Sequence, residues 1–243
     1  MKYKITISYD GTKYGGWQVQ PNTLTIQVLI QDALQTILRT PTPLTAAGRT
    51  DAGVHALGQV AHFSSDQTLD LHSLLYSLNG VLPRDIRIRE LVPTSEDFHA
   101  RYSAKSKIYH YHLHLTPVQP PFTYLYATHV RTSLDLKKLQ EALPHFIGTH
   151  DFTSFASAGC GSKNPIKTLQ RLEIVKEPEG IRLEFEGNGF LYKMVRNIVG
   201  TLLEIGKNKR SVSEIPFILA QKDRKLAGPT APPKGLFLMK VNY

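Results

Sequence analysis

Gly48-Arg49-Thr50-Asp51-Ala52-Gly53-Val54-His55-Ala56-Leu57-Gly58-Gln59-Val60-Ala61-His62 carries a turn, an acid and the start of a strand in one unbroken run. Gly48 and Gly53 bracket a lone carboxylate, Asp51, and a cation, Arg49, precedes it by two positions. Glycine on each side lets the backbone turn sharply and lets a partner approach closely. The apolar run that follows, Val60-Ala61-His62-Phe63, reads as a strand, placed near residues 57–64. A carboxylate presented in such a loop beside a guanidinium can act as a nucleophile. An isolated Arg-Thr-Asp would be read as a surface turn with a local ion pair; the longer Gly-bracketed string asks for more.

Outward from this loop, both flanks mix strands and helices. At the start Tyr3, Ile5, Ile7 and Tyr9 alternate with Lys2, Lys4, Thr6 and Ser8, the period of a half-buried strand. The loop Asp10–Trp17 follows, and then Thr25 is placed to cap a helix with the apolar stripe Ile26, Leu29, Ile30, Ala33, Leu34, Ile37 and Leu38. A second helix carries Leu71, Leu74, Leu75 and Leu78, with Asn79-Gly80 as its end, and a strand surrounds Ile86 and Ile88. The second half brings a strand over 107–115, a helix near 134–146 and strands around 168–176 and 181–187 that meet at Glu177–Gly180. An apolar helix from about Phe190 to Ile205 and a strand over 236–241 complete it. Hairpins without steady βαβα alternation predict an α+β protein with antiparallel sheets. Two units are expected, 1–104 with the Asp51 loop and 105–243.

Composition narrows the partners. The 29 Lys and Arg against 20 Asp and Glu leave a formal charge of +9, which points to a polyanion. The cations are dispersed through Arg84, Arg87, Arg89, Arg101, Lys105 and Lys107, and again from Lys207 to Lys225, as suits a folded surface tracking phosphates. No basic amphipathic helix argues for a membrane, no run is long enough to cross one, and the alternating N-terminus lacks a signal peptide's apolar block. One cysteine, Cys160, excludes an internal disulfide and a cysteine-cluster metal site and is read as a structural thiol. A cytoplasmic protein is expected.

Gly48-Arg-Thr-Asp-Ala-Gly-Val-His-Ala56 resembles the active-site motif of the TruA family of tRNA pseudouridine synthases. The resemblance continues in order through Tyr9-Asp-Gly-Thr12, Tyr14-Gly-Gly-Trp-Gln-Val-Gln20, Phe98-His-Ala-Arg-Tyr-Ser-Ala104, Lys107-Ile-Tyr-His-Tyr111, Gly148-Thr-His-Asp-Phe152, Gly187-Asn-Gly-Phe-Leu191, Met194-Val-Arg196 and Ala231-Pro-Pro-Lys-Gly-Leu236. It implies two ferredoxin-like subdomains per chain flanking a basic RNA-binding cleft, a homodimer, and a tRNA substrate modified at positions 38, 39 and 40 of the anticodon arm. It also implies that Asp51 is catalytic, that Arg49 assists base flipping, that Tyr109 contacts the substrate and that Arg196 lies near the catalytic acid.

The chemistry so implied breaks the bond between ribose C1′ and uracil N1 and rejoins the base through C5. There is no redox change, so no cofactor is expected, and neither a Gly-x-Gly-x-x-Gly helix opening nor a P-loop is present; Gly159–Lys163 has the wrong spacing. One carboxylate suffices, whether it attacks C1′, adds to C6 or assists a glycal route. The target base has to leave its stack to reach a side chain. Arg49 is then a candidate to fill the stack or hold phosphate. Tyr109 opens its strand beside Lys105 and Lys107, where an aromatic face can stack on a base and a hydroxyl can donate, whereas Tyr111, Leu113 and Leu115 look like core. Lys207, Lys209, Arg210, Lys222 and Arg224 are candidates to grip more distant parts of a tRNA.

Three rival readings are weaker. His110, His112 and His114 share a strand face and invite zinc, but the reaction needs no Lewis acid, so no metal is expected and these rings are assigned to solvent, RNA or a subunit interface. Asp10-Gly-Thr12 echoes an aspartyl-phosphate phosphatase motif, yet Ser8 stands where its nucleophile belongs. A non-catalytic module that binds structured RNA or folds tRNA explains the charge and the aromatics. It leaves unexplained an acid that would face phosphates from a Gly-rich loop.

Overall fold

The computed structural model describes residues 1–159 and 164–243. Cys160, read as a structural thiol, lies outside the described residues. Two compact units emerge, Met1–Lys105 with Phe237–Tyr243, and Ser106–Leu236. The first unit thus takes in the last strand of the chain as well as its first 105 residues. In chain order the elements are β1 (Lys2–Tyr9), α1 (Ile26–Leu38), β2 (Thr45–Ala46), β3 (His55–Ser64), α2 (Leu71–Val81) and β4 (Ile86–Thr94). There follow β5 (Ser106–His114), β6 (Thr128–His129), α3 (Leu136–Ala142), β7 (Gly148–Asp151), β8 (Ile166–Glu177), β9 (Gly180–Gly187), α4 (Met194–Gly206), α5 (Glu214–Gln221) and β10 (Leu236–Asn242). The mixture is α+β with largely antiparallel strands. Among the described residues no helix is long and apolar enough to cross a membrane.

In the first unit the strands run β4-β1-β3-β10, with β2 on β3. β1 is antiparallel to both neighbours, and β10 joins β3 in parallel through Phe237–His55 and Leu238–Ala56. Tyr3, Ile5, Ile7 and Tyr9 are buried, as the alternation requires. α1 buries Ile26, Ile30, Ala33 and Leu34, and α2 buries Leu74 and Leu78; each buried Ile or Leu stabilises the fold by roughly 1.5–3 kcal/mol.

Two helix ends differ from expectation. Thr25 holds the extended N-cap conformation of α1, but its side chain makes no capping bond and its Oγ1 is buried without a partner among the described residues. The backbone does that work: the Ile26 and Gln27 N–H groups donate to the Gly16 and Trp17 carbonyls at 3.1 and 3.0 Å. α2 runs through Asn79-Gly80 to Val81 because the Asn79 amide is committed elsewhere. It donates to the Leu75 and Ile88 carbonyls at 3.1 and 2.9 Å and accepts from the Ile88 N–H at 2.9 Å, tying the helix to β4.

The second unit orders its strands β5-β9-β8-β7, with β6 beside β5. β8 and β9 form the hairpin read at Glu177–Gly180, and β9 pairs β5 over its whole length, setting Tyr109 opposite Phe185. α4 begins at Met194, after Lys193 in the left-handed region (φ 60°), so the apolar residues Phe190 and Leu191 precede the helix. α4 is buried almost all round and carries Arg196, Asn197 and Thr201 inside. The short α5 and the four-residue β7 went unread in the sequence.

Candidate active site

The Asp51 loop is held by its backbone and by its neighbours' polar groups, which leaves the acid itself half-buried. Buried Thr50 meets the Tyr9 hydroxyl at 2.8 Å, and the Trp17 N–H donates to the Thr50 carbonyl at 3.1 Å. Gln59, fully buried on β3, donates to the Gly48 carbonyl at 2.9 Å and to the Tyr9 oxygen at 3.5 Å. Val54 closes a turn by donating to the Asp51 carbonyl at 3.1 Å, across Gly53 in the left-handed region (φ 75°). Burial pushes the Tyr9 hydroxyl well above its ordinary value, so it stays a neutral partner for Thr50.

The loop 10–17 lies against the Asp51 loop, backbone on backbone. Gly16 sits at φ 94°, and a Cβ there would stand 2.6 Å from the Thr50 carbonyl oxygen and 3.0 Å from Ala52 N and Asp51 C. A Cβ on Gly11 would overlap the Val54 carbonyl. His55, 1% exposed, locks the other end: its Nδ1 accepts from the Gly11 N–H at 3.1 Å, lies 3.1 Å from Asp10 Oδ1, and its ring stacks on Phe237 at 4.5 Å. Sequence reasoning missed Tyr9, Gly16, His55 and Gln59 as supports of this loop. Gly15-Gly16-Trp17 was the available signal, since two adjacent glycines before a buried tryptophan mark a close backbone approach.

Arg49 is exposed, and it makes no ion pair among the described residues, so the local Arg49–Asp51 pair considered for a plain surface turn does not form. An exposed guanidinium in this position can meet phosphate or base.

Tyr109 and Arg196 belong to the second unit. Tyr109 is only 8% exposed, with Phe190 edge-on at 5.0 Å. Arg196 is buried in the first turn of α4, which excludes a solvated helix-surface cation. Its Nε donates to the Ala231 carbonyl at 2.7 Å, and the Ala231 N–H donates back to the Arg196 carbonyl at 3.1 Å. Next along that segment, the Pro232 carbonyl accepts from the Tyr111 hydroxyl at 2.7 Å; the same hydroxyl meets Thr128 Oγ1 at 2.8 Å. Gly200 lets the segment cross α4, since a Cβ there would overlap the Pro229 carbonyl. Residues 227–235 therefore form a strap that fixes how Arg196 leaves its helix.

The histidine row and three of the late cations, Arg210, Lys222 and Arg224, have partners within the protein. His110 lies 3.4 Å from Glu184, His112 3.1 Å from Glu177 and buried His114 3.8 Å from Glu179, so each ring faces a carboxylate of the β8–β9 hairpin. His114 is buried, whereas His110 and His112 stay partly exposed beside their carboxylates. Burial of Glu184 disfavours its charge, but hydrogen bonds from Arg182 and Arg171 outweigh it and hold the carboxyl below its ordinary value. Burial lowers His110. Among the described residues, no group of three or more His, Cys, Asp or Glu is placed to hold a metal ion. Of the late cations, Arg210 pairs with Glu204 and Glu214 at 3.2 and 3.0 Å and Lys222 with Asp151 at 3.1 Å. Arg224 donates to Asn197 and Thr230 at 3.0 and 3.1 Å. Lys209 is exposed.

Residues 5–103 and 142–243 match the family model described as tRNA pseudouridine synthase. The chain is 54% identical to tRNA pseudouridine synthase A 1 of Protochlamydia amoebophila, over 99% of this chain and 96% of that one. It is 46% identical to tRNA pseudouridine synthase A of Chlamydia muridarum, over 100% and 92% of the two chains. Against tRNA pseudouridine synthase A of Geotalea uraniireducens it is 44% identical, over 99% and 98%.

Proposed function

The chain belongs to the tRNA pseudouridine synthase family, and we propose that Asp51 is the nucleophile with which it isomerises uridine to pseudouridine in tRNA. The observation that carries this reading is the half-buried carboxylate in a loop braced on both sides, by Tyr9, Trp17 and Gln59 and by the close backbone approach at Gly16. A nucleophile that works by position needs such a fixed frame. In the reaction the C1′–N1 bond breaks, the base turns, C5 bonds to C1′, and the proton leaves C5 while N1 gains one. The enzyme has to keep the detached uracil and exclude water meanwhile.

Roles for the remaining residues follow their chemistry. Exposed Arg49 takes the place of the flipped base in the stack or holds its phosphate. Tyr109 offers the base a ring and a hydroxyl, and Arg196, aimed by the 227–235 strap, supplies a cation. Two ferredoxin-like subdomains with a basic cleft, a homodimer, a cytoplasmic setting and a target at positions 38, 39 and 40 of the anticodon arm belong to the same proposal. The resemblance of the motifs and the +9 charge support them. Mapping pseudouridine in tRNA from cells lacking this protein tests it. Loss in the anticodon arm is expected, and loss confined to ribosomal RNA or to the TΨC arm would overturn it.

A further inference from the structure

We infer that the loop His99–Tyr102 of the first unit is a second RNA contact, a subsite where an unpaired nucleobase stacks on Tyr102 while Arg101 holds the neighbouring phosphate. The inference rests on the RNA-modifying reading above and adds to it a contact made by residues outside the Asp51 loop.

The loop is tied down from both ends and from within. The Ala100 N–H donates to buried His62 Nδ1 at 3.1 Å, and the Ala100 carbonyl accepts from the Tyr243 hydroxyl at 2.8 Å. Lys2 Nζ donates to the Phe98 carbonyl at 3.0 Å, and the Phe98 ring packs on Tyr243 at 4.8 Å. Within the loop, His99 Nδ1 accepts from the N–H groups of both Arg101 and Tyr102, at 3.2 and 3.3 Å. Ser103 Oγ accepts from the His99 N–H at 3.0 Å, and the Ser103 N–H returns to the His99 carbonyl at 2.9 Å. Every backbone N–H from His99 to Ser103 is thus satisfied from inside.

What this frame presents is the opposite of buried. Tyr102 is 77% exposed, and Arg101 is exposed without a carboxylate partner among the described residues. The Tyr102 ring leans on His99 (4.3 Å between centroids, 33° between planes), and the Arg101 guanidinium carbon sits 5.8 Å from the Tyr102 centroid. A single exposed aromatic is ordinary. An aromatic whose orientation is set by a neighbouring imidazole and by a guanidinium over the ring pays little entropy when a flat ligand arrives. An aromatic face with an adjacent unpaired cation is the recognition chemistry of a base and its phosphate. A carboxylate-bearing protein partner would satisfy Arg101 but would leave no reason for a tyrosine ring 77% exposed.

The test uses the full chain with a full-length unmodified tRNA transcript, its affinity measured by fluorescence anisotropy at several salt concentrations and its modification by initial rates. Tyr102→Ala is expected to weaken binding by roughly tenfold and Tyr102→Phe by less than about twofold, because the ring does the work. Arg101→Gln is expected to lower the slope of log affinity against log salt by about 1. In all variants the effect should appear in KM. Unchanged affinity and salt slope in Tyr102→Ala and Arg101→Gln would overturn the subsite while leaving the enzyme reading intact. A shift of sedimentation coefficient in parallel with the loss would overturn it in favour of a protein–protein surface. A wild-type protein that binds tRNA through Tyr102 yet forms no pseudouridine would support the subsite and sink the enzyme reading.

Discussion

Gly16→Ala is a change of one methyl group, remote in sequence from Asp51, that should disable it. At φ 94° an L-residue is strained by about 1–3 kcal/mol. The new Cβ would also stand 2.6 Å from the Thr50 carbonyl oxygen, where ordinary contact begins at 3.4 Å. One side must retreat by about 0.8 Å, the difference of those two distances. Gly16 is pinned, because its carbonyl accepts from Ile26 at the start of α1 and Trp17 N–H binds the Thr50 carbonyl. The Thr50–Asp51 peptide therefore moves. Misplacing a reacting group by about 1 Å costs roughly 100-fold in rate, so a 10- to 100-fold fall in kcat is expected. Strain and crowding together should lower Tm by about 5–10 °C. Tritium released from tRNA labelled at uridine C5 reports the rate, since that hydrogen leaves as the C5–C1′ bond forms. Gly80→Ala is the control: it lies exposed on α2 with nothing within 4 Å of its Cβ position and should leave the rate unchanged. Wild-type turnover by Gly16→Ala would refute the claim that the 10–17 loop sets the position of Asp51.

Other changes test other parts of the account. Tyr111→Phe deletes a buried hydroxyl shared by Thr128 and the Pro232 carbonyl; it should destabilise the protein by about 1–3 kcal/mol in thermal or urea unfolding. Tyr109→Phe should cost less activity than Tyr109→Ala if the ring is what the base meets; equal losses would transfer the role to the hydroxyl. Stability should fall as pH drops below the ordinary histidine value of 6.5, because burial lowers His62, helped by His99 and Lys2, and burial lowers His110. The unfolded chain then binds more protons than the folded one, so stability is complete above 6.5 and declines below it until the folded pKa values are reached. Melting curves between pH 5 and 8 check this, and a flat profile over that range would contradict it.

Much of the fold was legible because it rests on short-range periodicity. The inward Tyr3, Ile5, Ile7 and Tyr9 and the stripe of α1 are local patterns, and both hold. The return of Phe237–Tyr243 to the first unit was not legible, since its parallel pairing with His55 and Ala56 leaves no local trace. Helix ends were misjudged where a side chain had a distant duty, as Asn79 has toward Ile88, or where backbone carbonyls replaced a side-chain cap, as at Thr25. At the candidate site, Asp51 and Arg49 stand out in sequence as neighbours in a loop between two glycines. Their supports were not legible, because Tyr9 and Gln59 look in sequence like ordinary strand residues, and only the register of β1 on β3 brings them to Thr50 and Gly48. The carboxylate partners of the histidine row, Glu177, Glu179 and Glu184, were not legible, because they come from a hairpin more than sixty residues away.

Asp51→Asn removes the charge and keeps the shape of the side chain. With saturating enzyme and full-length tRNA transcript, a single-turnover measurement of pseudouridine formation should show none. Affinity for the tRNA and the melting temperature should stay near wild type. Pseudouridine formed by Asp51→Asn at a rate within tenfold of wild type would contradict the assignment of Asp51 as nucleophile.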